Sequence, residues 1–171
     1  MMYQVNPRVF APEKSFNAVA QHLDSIKALG TNVVWFMPIY PVGQIKTVNS
    51  PYCISDYKGV NPEFGTLEEF KSLVAQCHHK GMSVIVDWVA NHTSWDSNWM
   101  EHPEWYTQDE KGEIVSPANT GWLDVADLNF DNPEMRLAMI DAMKYWVTEV
   151  GIDGFRCDAA DFVPFDFWKQ C

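Results

Sequence analysis

The sequence lacks the basic clusters, long apolar runs and paired cysteine motifs that mark several common classes of protein. Lys and Arg together number 12 against 23 Asp and Glu, for a formal net charge of −11. Because binding to a phosphate backbone depends on clustered Lys and Arg, we exclude nucleic acid and anionic membranes as partners. A neutral or cationic ligand is expected instead.

No targeting or membrane segment is recognisable. No stretch approaches the ~20 consecutive apolar residues of a membrane span. The N-terminus has no basic region followed by an apolar stretch, so no signal peptide is predicted. The location in the cell stays open, since a longer precursor can carry a leader.

The cysteines show no metal-binding spacing. Cys53, Cys77, Cys157 and Cys171 form neither a CxxC nor a CxxH motif. Zinc is therefore disfavoured, and free buried thiols are favoured over disulfides.

The sequence does contain apolar stretches that alternate between strand and helix patterns. A continuous run of β-branched and aromatic residues at 32–37 predicts a buried strand, and the segments 3–5, 82–87 and 152–158 are predicted as three further strands. Helical patterns follow each of them, marked by Phe16, Val19, Leu23 and Ile26, by a capping box from Thr66 to Glu69, by Leu137, Ile140 and Val147, and by a helix that opens at Phe165. The alternation predicts an α/β fold with a parallel sheet, either doubly wound or part of a (β/α)8 barrel. The lack of a glycine-rich phosphate loop disfavours the first.

One connection, from Trp88 to about Asp131, is much longer than the others. Such loops are usually functional, and this one leaves the C-terminal end of the third strand, where parallel α/β folds place their sites. We predict that residues 93–131 form an inserted loop subdomain.

Polar side chains follow the third and fourth predicted strands. Asp87 and His92 follow the third, while Arg156 and Asp158 lie two apart on the fourth. Alternation along a strand predicts that Arg156 and Asp158 share a face, with Asp87 close enough to bind the guanidinium. The pattern fits a charged nucleophile beside an arginine, and it fits a purely structural ion network equally well.

Several segments resemble signature sequences of the alpha-amylase superfamily. DWVANH at 87–92 and GIDGFRCD at 151–158 resemble two of them, in the family's order. PYCISDY at 51–57, VNPEFG at 60–65 and ADLN at 126–129 resemble the second-strand loop and the pre-helix segment. The resemblance covers essentially the whole chain. It implies the first four β/α units of a (β/α)8 TIM barrel, with residues 1–171 as a partial catalytic barrel that stops after the fourth strand.

The resemblance also implies a function and a set of site residues. It implies a retaining glycosidase that acts on α-glucosidic bonds of α-glucans or malto-oligosaccharides, with Asp158 as the nucleophile and Arg156 as the second catalytic residue. His92 matches the histidine that hydrogen-bonds the reacting sugar, and Tyr52 matches the aromatic platform beneath it. Asp87 completes the implied substrate-binding set.

The tryptophans of the long loop have two readings. They are Trp88, Trp95, Trp99, Trp105 and Trp122. Their rings could stack on sugar faces, or they could form a small core of the loop itself. The second interpretation is favoured for any single tryptophan.

No cofactor is expected, and calcium is disfavoured. Asn91 and Asp127 match two calcium positions of the family. Phe162, however, stands where many members have a histidine for calcium, and Asp161 stands where they have a lysine for a downstream sugar. Calcium takes about six to eight oxygen ligands. We therefore predict no metal site.

The general acid of the family is a glutamate at the end of the fifth strand, and no residue here matches it. We therefore expect the 171 residues by themselves to show no appreciable activity on starch, malto-oligosaccharides or an activated α-glucoside. Turnover that Asp158→Asn abolishes would instead point to an acid among Glu63, Glu101 and Glu104.

The missing C-terminal half of the barrel is the expected partner, together with an oligosaccharide or polysaccharide substrate. Two alternatives stay open. One is a transglycosylase of the same family, and the other is a non-catalytic relative with a sugar-binding or assembly role.

Overall fold

The computed structural model describes residues 1–171 and contains six strands and six α-helices. The strands are β1 (Met2–Val5), β2 (Val33–Phe36), β3 (Ser83–Trp88), β4 (His92–Ser94), β5 (Val125–Asp127) and β6 (Gly154–Cys157). The helices are α1 (Pro7–Phe10), α2 (Ser15–Gln21), α3 (Leu23–Ala28), α4 (Leu67–His79), α5 (Pro133–Tyr145) and α6 (Phe165–Gln170). None of the helices is long and apolar enough to cross a membrane.

The residues fall into two compact units. Unit one comprises Met1–Ile39, Lys58–Trp88 and Lys144–Arg156. Unit two comprises Tyr40–Tyr57, Val89–Met143 and Cys157–Cys171, and it contains the predicted loop subdomain 93–131.

The main sheet has the strand order β1-β2-β3-β6, which uses all four predicted strands. β1, β2 and β3 are parallel, with Val5 opposite Phe36 and Phe36 opposite Val86. Because the register brings these strands to an end at one edge, residues that follow them emerge together. The predicted α/β class with a parallel sheet is confirmed.

Aromatic rings fill the space between this sheet and the helices of unit one. The Phe70 ring on α4 lies 5.0 Å from that of Phe16, 5.5 Å from that of Phe36 and 6.1 Å from that of Trp146, between centroids. The predicted capping box starts α4: Thr66 Oγ1 accepts from the Glu69 amide and Glu69 Oε1 accepts from the Thr66 amide, both at 3.1 Å. A local signal thus begins the helix, and buried rings fix its position.

The first predicted helix is interrupted at His22. Its amide bonds the carbonyl of Val19 at 2.9 Å, and its Nδ1 lies 2.8 Å from the carbonyl oxygen of Ala18. The His22 ring contacts the Ala18 carbonyl, which the His22 amide would bind in a continuous α-helix. The segment therefore forms two short helices, α2 and α3.

The predicted apolar face of α5 is wrong. Leu137 and Val147 are 59% and 44% exposed, whereas the buried residues are Met135, Met139, Ala142 and Met143. Methionines four residues apart form the apolar stripe because the unbranched side chain adapts to an irregular surface. A π-helical turn, Trp146–Val150, follows α5 and changes the angle between successive side chains. The α-helical spacing of apolar residues therefore does not extend to Val147.

In unit two, β4 and β5 pair antiparallel, with His92 opposite Asp127 and Ser94 opposite Val125. The Trp99 ring lies 4.8 Å from that of Tyr57 and 5.1 Å from that of Trp105. Trp99 and Trp105 are half-buried and pack against each other, which supports the interpretation of a local core for this pair.

Candidate active site

Unit one contains a buried carboxylate at the C-terminal end of β3. Asp87 has no solvent exposure. Trp35 Nε1 donates to Asp87 Oδ1 at 2.6 Å, and Arg156 Nη1 lies 3.5 Å from Oδ2. The guanidinium carbon of Arg156 is also 5.5 Å from the centroid of the Trp35 ring. Arg156 was predicted to lie within ion-pair distance of Asp87 or Asp158, and the pair with Asp87 confirms this.

The second feature is a cavity of about 420 Å³ within unit two. It is lined by Val48, Ser50, Tyr52, His92, Trp122, Asp124, Val125 and Asp158. Tyr52, His92 and Asp158, which are far apart in sequence, therefore face one cavity.

His92 is held on the cavity wall by the start of β4. Its carbonyl oxygen lies 2.9 Å from the Tyr57 hydroxyl, and its Nδ1 lies 3.2 Å from Asn91 Nδ2. Burial lowers the pKa of His92 below its ordinary value, although a hydrogen bond to the Tyr52 backbone and the charges of Asp158 and Asp124 act in the opposite direction. The imidazole is therefore neutral at neutral pH.

Tyr52 and Asp158 are both placed by turns. The Tyr52 amide donates to Ser50 Oγ at 3.2 Å, which fixes the turn that presents the ring. Asp158 lies one residue beyond β6, before Ala159 with φ 46°. Because β6 ends at Cys157, the shared face of Arg156 and Asp158 that strand alternation predicts stays a prediction.

Comparison with known proteins settles the family. The family model described as alpha amylase, catalytic domain, matches residues 14–119 and 118–169. The chain belongs to the alpha-amylase family. It is 30% identical to Alpha-amylase 3 of Dictyoglomus thermophilum over 99% of this chain and 39% of that protein.

Solved alpha-amylases give the same result for the fold. A crystal structure from Lactobacillus plantarum is 43% identical with a TM-score of 0.93, covering 99% of this chain and 40% of that one. A noncanonic maltogenic alpha-amylase, AmyB from Thermotoga neapolitana, is 39% identical with a TM-score of 0.91, covering 99% of this chain and 41% of that one. The chain thus corresponds to part of an alpha-amylase TIM barrel and spans about two fifths of the relatives' length.

The cavity also includes Trp122, which the sequence offered only as a possible sugar-stacking tryptophan, and Asp124, which it did not identify. Trp122 lies 5.6 Å from the His92 ring and 5.7 Å from the Phe162 ring, between centroids. Asp124 supplies a second carboxylate to the cavity. Both precede β5, whose pairing with β4 brings them beside His92. Strands of three residues have no periodic pattern, so only the alpha-amylase-like ADLN segment hinted at this position.

The two residues that match alpha-amylase calcium positions lie in a different hollow. Asn91 and Asp127 line it together with Thr107 and Phe162. Thr107 Oγ1 donates to Asp127 Oδ2 at 2.7 Å. No group of three His, Cys, Asp or Glu side chains in residues 1–171 lies close enough to hold a metal ion.

Replacing Arg156 tests whether it neutralises the buried carboxylate. We expect Arg156→Met to lower the free energy of unfolding by about 1–3 kcal/mol, because Asp87 loses a charged partner but keeps Trp35. Chemical denaturation measures the change. Adding Asp87→Asn should recover part of the loss, since a neutral side chain needs no cation.

The matched control is Lys71→Met, which removes a surface pair with Glu68 at 3.6 Å. It should change the free energy of unfolding by less than about 1 kcal/mol. Equal effects of the two single variants, or no recovery in the double variant, would contradict the assignment.

Proposed function

We propose that this chain supplies the nucleophile side of a retaining glycosidase site that acts on α-glucosidic bonds of α-glucans or malto-oligosaccharides. The observation that carries the proposal is the meeting of Tyr52, His92 and Asp158 at one cavity. Membership of the alpha-amylase family supports the substrate class. The alpha-amylase and maltogenic alpha-amylase names of its relatives agree with it.

In the proposed reaction, an Asp158 oxygen attacks the anomeric carbon and the bond from that carbon to the leaving oxygen breaks. The leaving oxygen takes the bonding electrons and a proton from a general acid, for which these residues have no match. The resulting ester is inverted at carbon. Water or a sugar hydroxyl then attacks the same carbon and gives its proton to the former general acid, while the bond to Asp158 breaks and frees the carboxylate, which restores the α configuration. Hydrolysis and transglycosylation share the first step.

The other cavity residues are assigned to binding. A neutral His92 would hydrogen-bond a sugar hydroxyl without the cost of desolvating a charge. Tyr52 and Trp122 offer aromatic surface to the apolar face of a pyranose ring. For Arg156 and Asp87 we retain the catalytic and substrate-binding roles that the family resemblance implies, supported by their ion pair.

We further propose that residues 93–131 act as an inserted subdomain and that the remainder of an alpha-amylase barrel completes the site. The lengths of the two proteins support this. The match to Alpha-amylase 3 includes 99% of this chain but only 39% of that relative. The general acid would come from that remainder.

A fluorosugar tests the nucleophile without the general acid. We expect 5-fluoro-α-glucosyl fluoride to form a covalent adduct on Asp158, because fluoride leaves without protonation and the 5-fluoro group slows discharge of the ester. Peptide mass spectrometry of the treated chain locates the adduct. Asp158→Asn should abolish it.

Asp161→Asn is the matched control, because Asp161 lies outside this cavity and its loss should leave labelling unchanged. An adduct on Asp124 would transfer the nucleophile role to that residue. Saturable binding of malto-oligosaccharides with no adduct would favour the alternative of a non-catalytic sugar-binding relative.

We also propose that the fold requires no calcium. Asp127 is satisfied by the Thr107 hydroxyl, and Phe162 contributes no oxygen side chain to that hollow. Neither calcium nor EDTA should shift the thermal unfolding midpoint. Calcium at one hundred times its Kd would stabilise a binding protein by about 2.7 kcal/mol. For a chain of this size that corresponds to roughly 5–10 °C, so a calcium-dependent rise of that order would overturn the proposal.

A further inference from the structure

Two irregular segments supply six of the eight residues that line the cavity. Wall one is defined here as residues 43–52, which contribute Val48, Ser50 and Tyr52. Wall two is residues 121–125, which contribute Trp122, Asp124 and Val125. Neither wall has regular backbone pairing along most of its length, so side-chain contacts help to fix the position of both.

Wall one is strained as well as irregular. Lys46 and Asn49 have φ values of 53° and 61°, in the left-handed region that non-glycine residues seldom adopt. Val48, between them, is 76% exposed and gains little from packing. Such a conformation persists only where neighbouring groups over-determine it. The conformation of wall one therefore depends on the contacts that neighbouring residues make with it.

Asp96 anchors the start of wall one. Its Oδ2 accepts a hydrogen bond from the Gln44 amide at 2.8 Å. Gly43 packs so closely that an added Cβ would lie 2.3 Å from Ser94 Cβ and 2.7 Å from Asp96 Oδ1. Burial raises the pKa of Asp96, but the hydrogen bonds it accepts, first that from Gln44, bring it below its ordinary value. The carboxylate form is the one that binds the wall.

Trp95 contacts both walls. Lys46 Nζ of wall one lies 4.3 Å from the centroid of its ring. Its indole Nε1 donates to the carbonyl oxygen of Leu123 in wall two at 3.0 Å. Leu123 stands between Trp122 and Asp124, so this bond acts at the centre of wall two.

Trp95 and Asp96 do not line the cavity themselves. They directly follow β4, which begins at His92 and whose last residue, Ser94, pairs with Val125. Residues 92–96 thus contain the cavity histidine, the strand that pairs with β5 and the two residues that contact the walls.

We propose that Trp95 and Asp96 are positioning residues that hold the two walls of the sugar cavity in a binding geometry. The inference rests on the proposed function, because it takes a sugar as the ligand of the cavity. Hydrogen exchange of the two walls is the readout that does not depend on that function.

The experiment uses Trp95→Phe, Asp96→Asn and the control Asp109→Asn in the 171-residue chain. Asp109 also accepts backbone amides, from Lys111 at 2.8 Å and Glu113 at 2.9 Å, but in a turn that does not line the cavity. Trp95→Phe keeps a ring and loses the indole donor. Asp96→Asn keeps an acceptor oxygen and loses the charge.

Calorimetric titration with maltotriose and amide hydrogen exchange are measured for each variant. We expect both anchor variants to weaken maltotriose binding about three- to tenfold, because Trp95→Phe loses one hydrogen bond and Asp96→Asn replaces a charge-assisted hydrogen bond with a weaker neutral one. Exchange should accelerate in the wall that loses its anchor, wall two for Trp95→Phe and wall one for Asp96→Asn. The control should change neither readout.

The outcomes separate the two hypotheses. If the unmodified chain binds no malto-oligosaccharide and takes no fluorosugar adduct, the proposed function fails, and wall exchange still reports on the anchors. Unchanged wall exchange in both anchor variants would overturn the positioning role. So would acceleration spread evenly over the chain, since it indicates general stability. If Asp96→Asn does not fold, Trp95→Phe alone decides, because wall two must respond to it.

Discussion

A carboxylate with no access to solvent ends the third strand of the sheet, and the arrangement of unit one satisfies it. Asp87 receives a hydrogen bond from Trp35 on β2 and an ion pair from Arg156 on β6, the two strands that flank β3. Trp35 lies opposite Ile85, so it shares a face with Asp87 two residues further on. A slip of one residue in β2 would turn the indole to the other face. The buried charge thus favours a single register.

Unit two depends on a different kind of support. Its sheet consists of two strands of three residues, too short to position a cavity by themselves. The Tyr57 hydroxyl reaches the backbone oxygens of Val89 and His92 at 2.6 and 2.9 Å, and the ring of Trp99 packs against Tyr57. In unit two, hydrogen bonds from side chains to the backbone therefore fix the position of segments that strand pairing fixes in unit one. This explains why polar and aromatic residues, rather than aliphatic ones, dominate the segments around the cavity.

Prediction from sequence succeeded where the signal is local and repeated. The strands at 32–37 and 82–87 each contain an uninterrupted apolar stretch, 33–37 and 84–86, and the Thr66 capping box encodes its own hydrogen bonds. All three are found close to where they were expected. Prediction failed where a local pattern had competing solutions. In α5 either Leu137 or Met135 could have faced inward, and only the packing of the methionine stripe together with the π-helical turn selects Met135.

The same division applies to the cavity. The sequence identified Tyr52, His92 and Asp158, because each belongs to a segment that resembles a signature sequence of the alpha-amylases. All three line the cavity. The sequence by itself therefore determined the fold class, the family and one residue from each of three cavity segments. Tertiary structure decided that Asp124 joins them, that Trp122 is the tryptophan of the long loop that lines the cavity, and that Trp95 and Asp96 support the segments around it. The physical reason is that these contacts arise from side-chain to backbone bonds across loops and from a three-residue antiparallel pairing, neither of which leaves a periodic pattern in the chain.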